Sequence, residues 1–125
     1  MLDHVSIGVR DVAAARGFYD AVMKPLGCSA LSAGEGYLGY GRQAPQFWVL
    51  GVERPVAPDM KSGLHFCFTA PSRAAVDAFH AAALKRGGTC NGAPGLRPDY
   101  GPGYYAAFVI DPDGYRIEAY CGRPE

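Results

Sequence analysis

The stretch DPDGYRIEAY, residues 111–120, joins a turn to an alternating strand, and it determines how the rest of the chain is interpreted. Asp-Pro-Asp-Gly is typical of a tight turn, and the residues after it alternate in polarity. Ile117 and Ala119 share one face of the predicted strand, whereas Glu118 lies on the other face. The sequence therefore predicts a strand that buries one apolar face and carries a carboxylate on the opposite one.

An internal repeat organises the chain around this strand. Residues 2–27 and 63–88 align without a gap when His4 is placed on His65, an offset of 65 − 4 = 61. Each copy begins with an alternating strand and continues into a segment with apolar residues at helical spacing. The repeat predicts two copies of one structural motif.

The boundaries of the predicted helices repeat as well. Asp11 and Ser72 are favourable N-cap residues, because their side-chain oxygens accept hydrogen bonds from unpaired amides of the first turn. Gly27 and the pair Gly87 and Gly88 suit the left-handed conformation that ends many helices. Each copy therefore contains one amphipathic helix with an apolar face to bury on a sheet.

Aromatic and β-branched residues follow each helix and predict further strands. Residues 36–52 and 103–120 each indicate two strands joined by a turn, and short strands near 29–33 and 89–92 complete each copy. The fold class is then α+β, with two tandem βαβββ modules forming a curved sheet around a concave metal and substrate site. We expect one domain over residues 1–125, with module 1 at about 1–53, a linker at about 54–62 and module 2 at about 63–125.

Three side chains of types that can bind a metal are predicted on the free faces of these strands. Alternation places His4 and His65 opposite the apolar faces of their strands, as it does Glu118. A single strand histidine is more often a hydrogen-bonded structural residue, and a single strand glutamate is usually solvent-facing. Because the repeat makes the two histidines equivalent, the three residues together predict a two-histidine, one-carboxylate site with open coordination positions.

Composition excludes several classes of partner. Twelve basic residues balance twelve acidic ones, so we expect neither nucleic acid nor a membrane surface as partner, and a small molecule instead. The N-terminal residues form no signal peptide or membrane span, and we expect a cytoplasmic location.

The four cysteines are Cys28, Cys67, Cys90 and Cys121, and they never form a CxxC pair. We interpret them as mostly buried thiols, with a catalytic nucleophile as the alternative. His80 follows an apolar helix position and has no partner at ligand spacing, so we expect it to be a surface helix residue.

The chain resembles the vicinal-oxygen-chelate superfamily, which includes glyoxalase I, bleomycin-resistance proteins, extradiol dioxygenases and fosfomycin-resistance thiol transferases. The resemblance rests on LDHVSIGVRD, FYDAVMKPLG, GLHFCFTA and DPDGYRIEAY, and it spans nearly the whole chain. It implies that His4, His65 and Glu118 bind a divalent metal such as Fe²⁺, Mn²⁺, Zn²⁺ or Ni²⁺. It also implies a metal that chelates adjacent substrate oxygens and stabilises oxyanion charge.

Two departures from this resemblance weigh against authentic glyoxalase I activity. The strand QFWVLG, residues 46–51, contains Trp48 and no carboxylate, although glyoxalase I has a fourth ligand there. Gly8 stands where glyoxalase I has an arginine for glutathione. Ser6 resembles the threonine of the fosfomycin thiol transferases, but the basic residues that hold a phosphonate in those enzymes are not evident.

The segment 93–105, rich in proline and glycine, is expected to form the rim of the pocket. Tyrosines in such a loop also pack it onto a sheet, which is the alternative for about half of them. The candidate substrate-binding residues are Ser6, Trp48, Cys67, Arg97, Tyr100, Tyr105 and Tyr120.

Two functions remain open from the sequence. The first is a metal-dependent enzyme of lyase, dioxygenase or thiol-transferase type that acts on a small oxygen-bearing substrate. The second is a metal-free protein that binds or sequesters a small molecule, as bleomycin-resistance proteins do. The resemblance also implies a homodimer, whose sites combine modules of one chain or of two.

Overall fold

The structure is a computed structural model that describes residues 1–124. Its first half runs in the order strand, helix, three strands, and its second half repeats that order. The elements are β1 (Val5–Val9), α1 (Val12–Met23), a 3-10 turn (Lys24–Leu26), β2 (Ser29–Gly34), β3 (Tyr37–Gly41), β4 (Phe47–Gly51), β5 (His65–Thr69), α2 (Arg73–Lys85), β6 (Thr89–Leu96), β7 (Tyr105–Ile110) and β8 (Arg116–Cys121).

The strands form two four-stranded sheets with the same topology. The first has the order β1-β4-β3-β2 and the second the order β5-β8-β7-β6. In each sheet the first and last strands of the module pair in parallel, and the remaining pairs are antiparallel. The prediction of two tandem βαβββ modules in an α+β fold is confirmed, and the sheets do not close into a barrel.

The helices begin at the residues that the sequence indicates. The side chain of Asp11 accepts a hydrogen bond from the Ala14 amide, and that of Ser72 accepts one from the Ala75 amide, both at 3.0 Å. Gly27, after the 3-10 turn, has a φ of 77°, which L-residues with side chains rarely adopt. Local capping therefore fixes where each helix meets its sheet.

One apolar core joins the two modules. Phe18 of α1 and Phe79 of α2, equivalent under the repeat, are 2% and 0% exposed, and the two helices pack against each other. The ring of Phe47 in β4 lies 5.9 Å from that of Phe66 and 5.0 Å from that of Phe68, both in β5. The helix-covered faces of both sheets thus supply a shared interior, and their other faces remain open.

Polar side chains also form hydrogen bonds between the two modules. Asp111, in the turn before β8, is buried and accepts a hydrogen bond from the Tyr19 hydroxyl of α1. Arg42, after β3, donates to the backbone carbonyl oxygens of Thr69 at 2.8 Å and Leu26 at 3.0 Å. Burial raises the pKa of Asp111, and the bond from Tyr19 opposes that rise.

Two expectations need correction. Strand β6 continues to Leu96, so the first residues of the predicted rim loop belong to the second sheet. The expectation of mostly buried thiols is wrong for Cys67 and Cys90, which are exposed, whereas Cys121 is buried. Within residues 1–124, no helix is both long and apolar enough to cross a membrane.

Candidate metal and substrate site

Glu118 occupies the middle of β8 on the open face of the second sheet. It lies opposite Cys67 of β5 on one side and Phe108 of β7 on the other. Although the face is open, Glu118 is only 3% exposed. A carboxylate at this depth is costly to keep charged unless charged or hydrogen-bonding groups accompany it.

His65 is the first of these groups. Its Nε2 atom lies 3.0 Å from Oε1 of Glu118, and 36% of its side chain is exposed. The imidazole ring is stacked on Phe108 at a centroid distance of 6.2 Å, which fixes the plane of the ring. Two of the three predicted ligands are therefore in contact, one of them reachable from solvent.

Tyr104 is the second group, and the sequence analysis did not select it. Its hydroxyl donates to Oε2 of Glu118 at 2.6 Å. Burial and the hydrogen bond to Glu118 raise the pKa of Tyr104, so the phenol keeps its proton. Strand alternation in β7 offers the missed signal: Phe108 and Ala106 share the face of Glu118, and continuing the alternation reaches Tyr104.

The same alternation explains the position of Tyr105. Its hydroxyl donates at 2.7 Å to Asp77 of α2, on the helix-covered side of the sheet. The guanidinium of Arg73 lies 5.2 Å from the centre of its ring. The structure therefore does not bring Tyr105 to the open face.

An open cleft of about 610 Å³ lies in front of the His65–Glu118 pair. Arg97 lies over the ring of Phe108 at 5.2 Å and donates to the Ala93 carbonyl at 2.7 Å, so its charge is held in place. Arg116, in β8, donates to the Leu64 carbonyl at 3.2 Å. The lining residues are His65, Asn91, Gly92, Arg97, Tyr100, Phe108, Arg116 and Glu118. With two arginines and one carboxylate, this cleft favours an anionic ligand.

Cys67 and Tyr120 adjoin the same pair. Burial of the sulfur and the neighbouring charge of Glu118 raise the pKa of Cys67 to about 12, although the residue as a whole is exposed. The ring of Tyr120 stacks on Tyr104 with centroids 4.1 Å apart. Cys67 therefore stays a neutral thiol, and Tyr120 supports the phenol that holds Glu118.

His4 lies just before β1, apart from this pair. Its Nδ1 atom is 2.7 Å from Oδ1 of Asp3, and its side chain is 55% exposed. His4 and His65 both border a second groove of about 380 Å³ that runs between the modules past Phe47 and Phe68. In the described part of the chain, no three His, Cys, Asp or Glu side chains are arranged to hold a metal ion.

Ser6 and Trp48 are paired with each other on the open face of the first sheet. Trp48 is half-buried over Gly39, and its ring lies 6.4 Å from that of Tyr37. Of the predicted residues, the second sheet gathers His65, Glu118, Arg97 and Tyr100 around one cleft, with Cys67 and Tyr120 beside it. His4 shares the groove between the modules with His65, whereas Ser6, Trp48 and Tyr105 lie elsewhere.

The residues in contact have the chemistry of a metal site. Imidazole nitrogen and carboxylate oxygen are ligands of Fe²⁺, Mn²⁺ and Zn²⁺. Glu118 also has the outer hydrogen bond, from Tyr104, that orients a ligating carboxylate in many metal sites. Two neighbouring donors therefore fit a divalent cation, and a third is needed to complete the triad.

Two βαβββ modules, each covered by a helix and each with an open sheet face, define a class of duplicated α+β proteins. The profile of the Glyoxalase/Bleomycin resistance protein/Dioxygenase superfamily matches residues 1–119, and the chain belongs to that superfamily. No curated protein matches the sequence significantly.

Solved structures agree with this assignment. A glyoxalase/bleomycin resistance protein from Albidiferax ferrireducens is 34% identical with a TM-score of 0.85, and the match covers 97% of this chain and 98% of that one. A glyoxalase-related enzyme from Fulvimarina pelagi has a TM-score of 0.72 at 15% identity, with 97% and 87% covered. A glyoxalase/bleomycin resistance protein/dioxygenase family enzyme from Burkholderia phytofirmans has a TM-score of 0.71 at 18% identity, with 97% and 98% covered. The last two share the fold.

Proposed function

We propose that the protein is a divalent-metal-dependent enzyme of lyase, dioxygenase or thiol-transferase type that acts on a small oxygen-bearing substrate. The observation that carries the proposal is the contact between His65 and the buried carboxylate of Glu118 at the back of an open cleft. Burying a carboxylate is costly, and a buried ion pair is weak evidence for a purely stabilising role. Here its partner is an imidazole open to solvent.

In this proposal His65 and Glu118 hold the metal together with His4. A bound divalent ion would act as a Lewis acid on substrate oxygens. The chain's own residues bind and orient: Arg97 and Arg116 attract an anionic substrate, and Tyr100 borders the entrance of the cleft. Tyr104 keeps Glu118 in one orientation.

We further propose that His4 is supplied by a second copy of the chain in a homodimer. Within one chain the imidazole of His4 is hydrogen-bonded to Asp3, and residues 1–124 place no third ligand beside the pair His65–Glu118. The open faces of the two sheets carry complementary parts, with His4 and Ser6 on the first and the carboxylate on the second. Pairing the first face of one copy with the second face of another would complete the ligand set.

The second candidate is a metal-free binding protein that sequesters a small anion. It is favoured by the arginines of the cleft and by the fact that, among the described residues, two ligands and not three come together. Both candidates use the same cleft, and they differ in whether binding needs a metal.

Metal content distinguishes the two candidates. After incubation with Fe²⁺, Mn²⁺, Zn²⁺ or Ni²⁺ and gel filtration, the protein should retain about one ion per chain by inductively coupled plasma mass spectrometry. Glu118→Gln should weaken binding at least about a hundredfold, and Tyr104→Phe about tenfold, because it removes only the outer hydrogen bond. Glu35→Gln, which changes an exposed carboxylate far from the cleft, is the control. If the native protein retains no ion, the enzyme proposal fails and the sequestering protein stands.

Co-expression tests the source of His4. Chains carrying His4→Ala and chains carrying Glu118→Gln should each fail to bind metal alone. If the third ligand comes from a second copy, each mixed dimer has one intact site, and random pairing restores about one quarter of the metal of the native protein. If the sites lie within one chain, the mixture binds none, and the homodimer proposal fails while the metal proposal survives.

A further inference from the structure

A second pair of reactive groups lies on the opposite side of the second sheet. Nε2 of His80 in α2 is 3.2 Å from Sγ of Cys90 in β6. Ten residues separate them in sequence, so no local motif indicates the pair. Under the repeat offset of 61, the same positions in the first module are Tyr19 and Ser29, which cannot form a thiol–imidazole pair.

The register of the sheet separates this pair from the cleft. Cys90 lies opposite Val109, which is fully buried under α2, whereas Gly92 and Phe108 lie on the face of Glu118. Cys90 is therefore on the helix side of the sheet. It is nonetheless exposed, because β6 is an edge strand with a neighbour on one side only.

We propose that Cys90 and His80 form a site of reversible thiol modification that takes low-molecular-weight disulfides. With its own proton on Nδ1, His80 accepts the thiol proton at Nε2. The sulfur's electron pair then forms a new S–S bond to one half of the disulfide. The old S–S bond breaks, and the other half leaves as a thiolate, which recovers the proton from His80.

The surroundings of His80 suit the role of proton acceptor. Partial burial lowers the pKa of His80, and the carboxylate of Asp77, one turn earlier, opposes that shift; the ring is therefore mainly neutral at pH 7. Asp77 is itself engaged by the hydroxyl of Tyr105 at 2.7 Å. A neutral imidazole next to an accessible thiol can take the thiol proton as the sulfur attacks, which raises the rate of attack.

The other three cysteines provide the contrast. Cys67 is also exposed, but its sulfur adjoins the carboxylate of Glu118 and the hydroxyl of Tyr104. Cys121 is buried, and burial raises the pKa of the partly buried Cys28. Exposure alone predicts two reactive thiols, whereas the contact with His80 predicts one.

The test uses the full native chain and 5,5′-dithiobis(2-nitrobenzoate) as the disulfide. One thiol should react in a fast phase at pH 7, and mass spectrometry should locate the mixed disulfide on Cys90. Cys90→Ser should abolish that phase, and Cys67→Ser should leave it intact. A fast phase that persists in Cys90→Ser, or that is absent from the native protein, overturns the proposal.

His80→Gln tests the imidazole. It should slow the fast phase about tenfold at pH 7 and have little effect near pH 10, where hydroxide removes thiol protons without a general base. Ala81→Gln, on an exposed position of the same helix, should change neither rate. An unchanged rate in His80→Gln at pH 7, or equal slowing at both pH values, overturns the role of His80 as proton acceptor. Circular dichroism identifies a variant that has unfolded, in which all four thiols would react quickly.

Discussion

Ser6 in the first sheet and Cys67 in the second are equivalent under the offset of 61, and each has a register partner in the neighbouring parallel strand. The partner of Ser6 is Trp48, and that of Cys67 is Glu118. One open face therefore carries an indole at the position where the other carries a buried carboxylate. On the helix-covered faces the two modules remain alike, with Phe18 and Phe79 in the same core. The two copies therefore share their core packing and differ in the side chains of their open faces.

The largest effect is expected on the helix-covered faces, which are alike in the two modules. Phe18→Ala and Phe79→Ala should each reduce the free energy of unfolding by about 4 kcal/mol, because each leaves a cavity in the shared core. Urea denaturation at one temperature measures both. A difference of more than about 2 kcal/mol between the two variants would mean that the helix-covered faces have diverged as well.

An intermediate effect is expected where one module reaches into the other. Tyr19→Phe removes the side-chain hydrogen bond to the buried Asp111 and should cost about 2 kcal/mol at pH 7. The pKa of Asp111 is raised from 3.8 by burial, so the folded state holds a proton that the unfolded state has lost, and stability falls as pH rises through that window.

The hydrogen bond from Tyr19 lowers the pKa of Asp111, so this pKa should be higher in the variant than in the native protein. The pH range over which stability falls is then wider in the variant. The stability gap between Tyr19→Phe and the native protein should therefore grow as pH rises from about 3 to 7. Denaturation curves at several pH values measure the gap. A gap that is constant across this range would mean that Asp111 does not sense the Tyr19 hydroxyl.

The smallest effect on stability is expected on the open face of the first sheet, where Trp48 replaces a carboxylate. A Cβ on Gly39 would lie 2.7 Å from the ring of Trp48, so Gly39→Ala must displace the indole, at a cost of about 1 kcal/mol. Trp48 is the only tryptophan, and its emission spectrum reports the displacement directly. Gly36→Ala, with nothing within 4 Å of the added carbon, is the control. If both variants give identical spectra, Trp48 does not cover Gly39 on the open face of the first sheet.

Patterns of short range in the sequence predicted most of the fold. Alternation assigned Ile117 and Glu118 to opposite faces, and side-chain oxygens at Asp11 and Ser72 marked the starts of both helices. Such features depend on neighbouring residues, which the repeat presents twice. The fold class followed from them, and the superfamily followed from the resemblance of motifs such as DPDGYRIEAY to a known family.

The site was predicted less completely because its contacts join distant segments. The bond from Tyr104 to Glu118 spans a turn, and choosing Tyr104 over Tyr105 requires the register of β7 against β8. The contact of His80 with Cys90 requires the packing of a helix on an edge strand. Whether His4 meets the other two ligands depends on how modules pair, which no single strand encodes.

The contact between Trp48 and Gly39 limits how the first sheet can change. While the indole covers Gly39, any side chain at position 39 is obstructed, so substitutions there become acceptable only after position 48 has changed. If evolution replaced Trp48 by a carboxylate, that substitution would have to come first, and position 39 could accept a side chain only afterwards. Among relatives of this chain, the residues at these two positions should vary together, with glycine at 39 retained wherever tryptophan occupies 48.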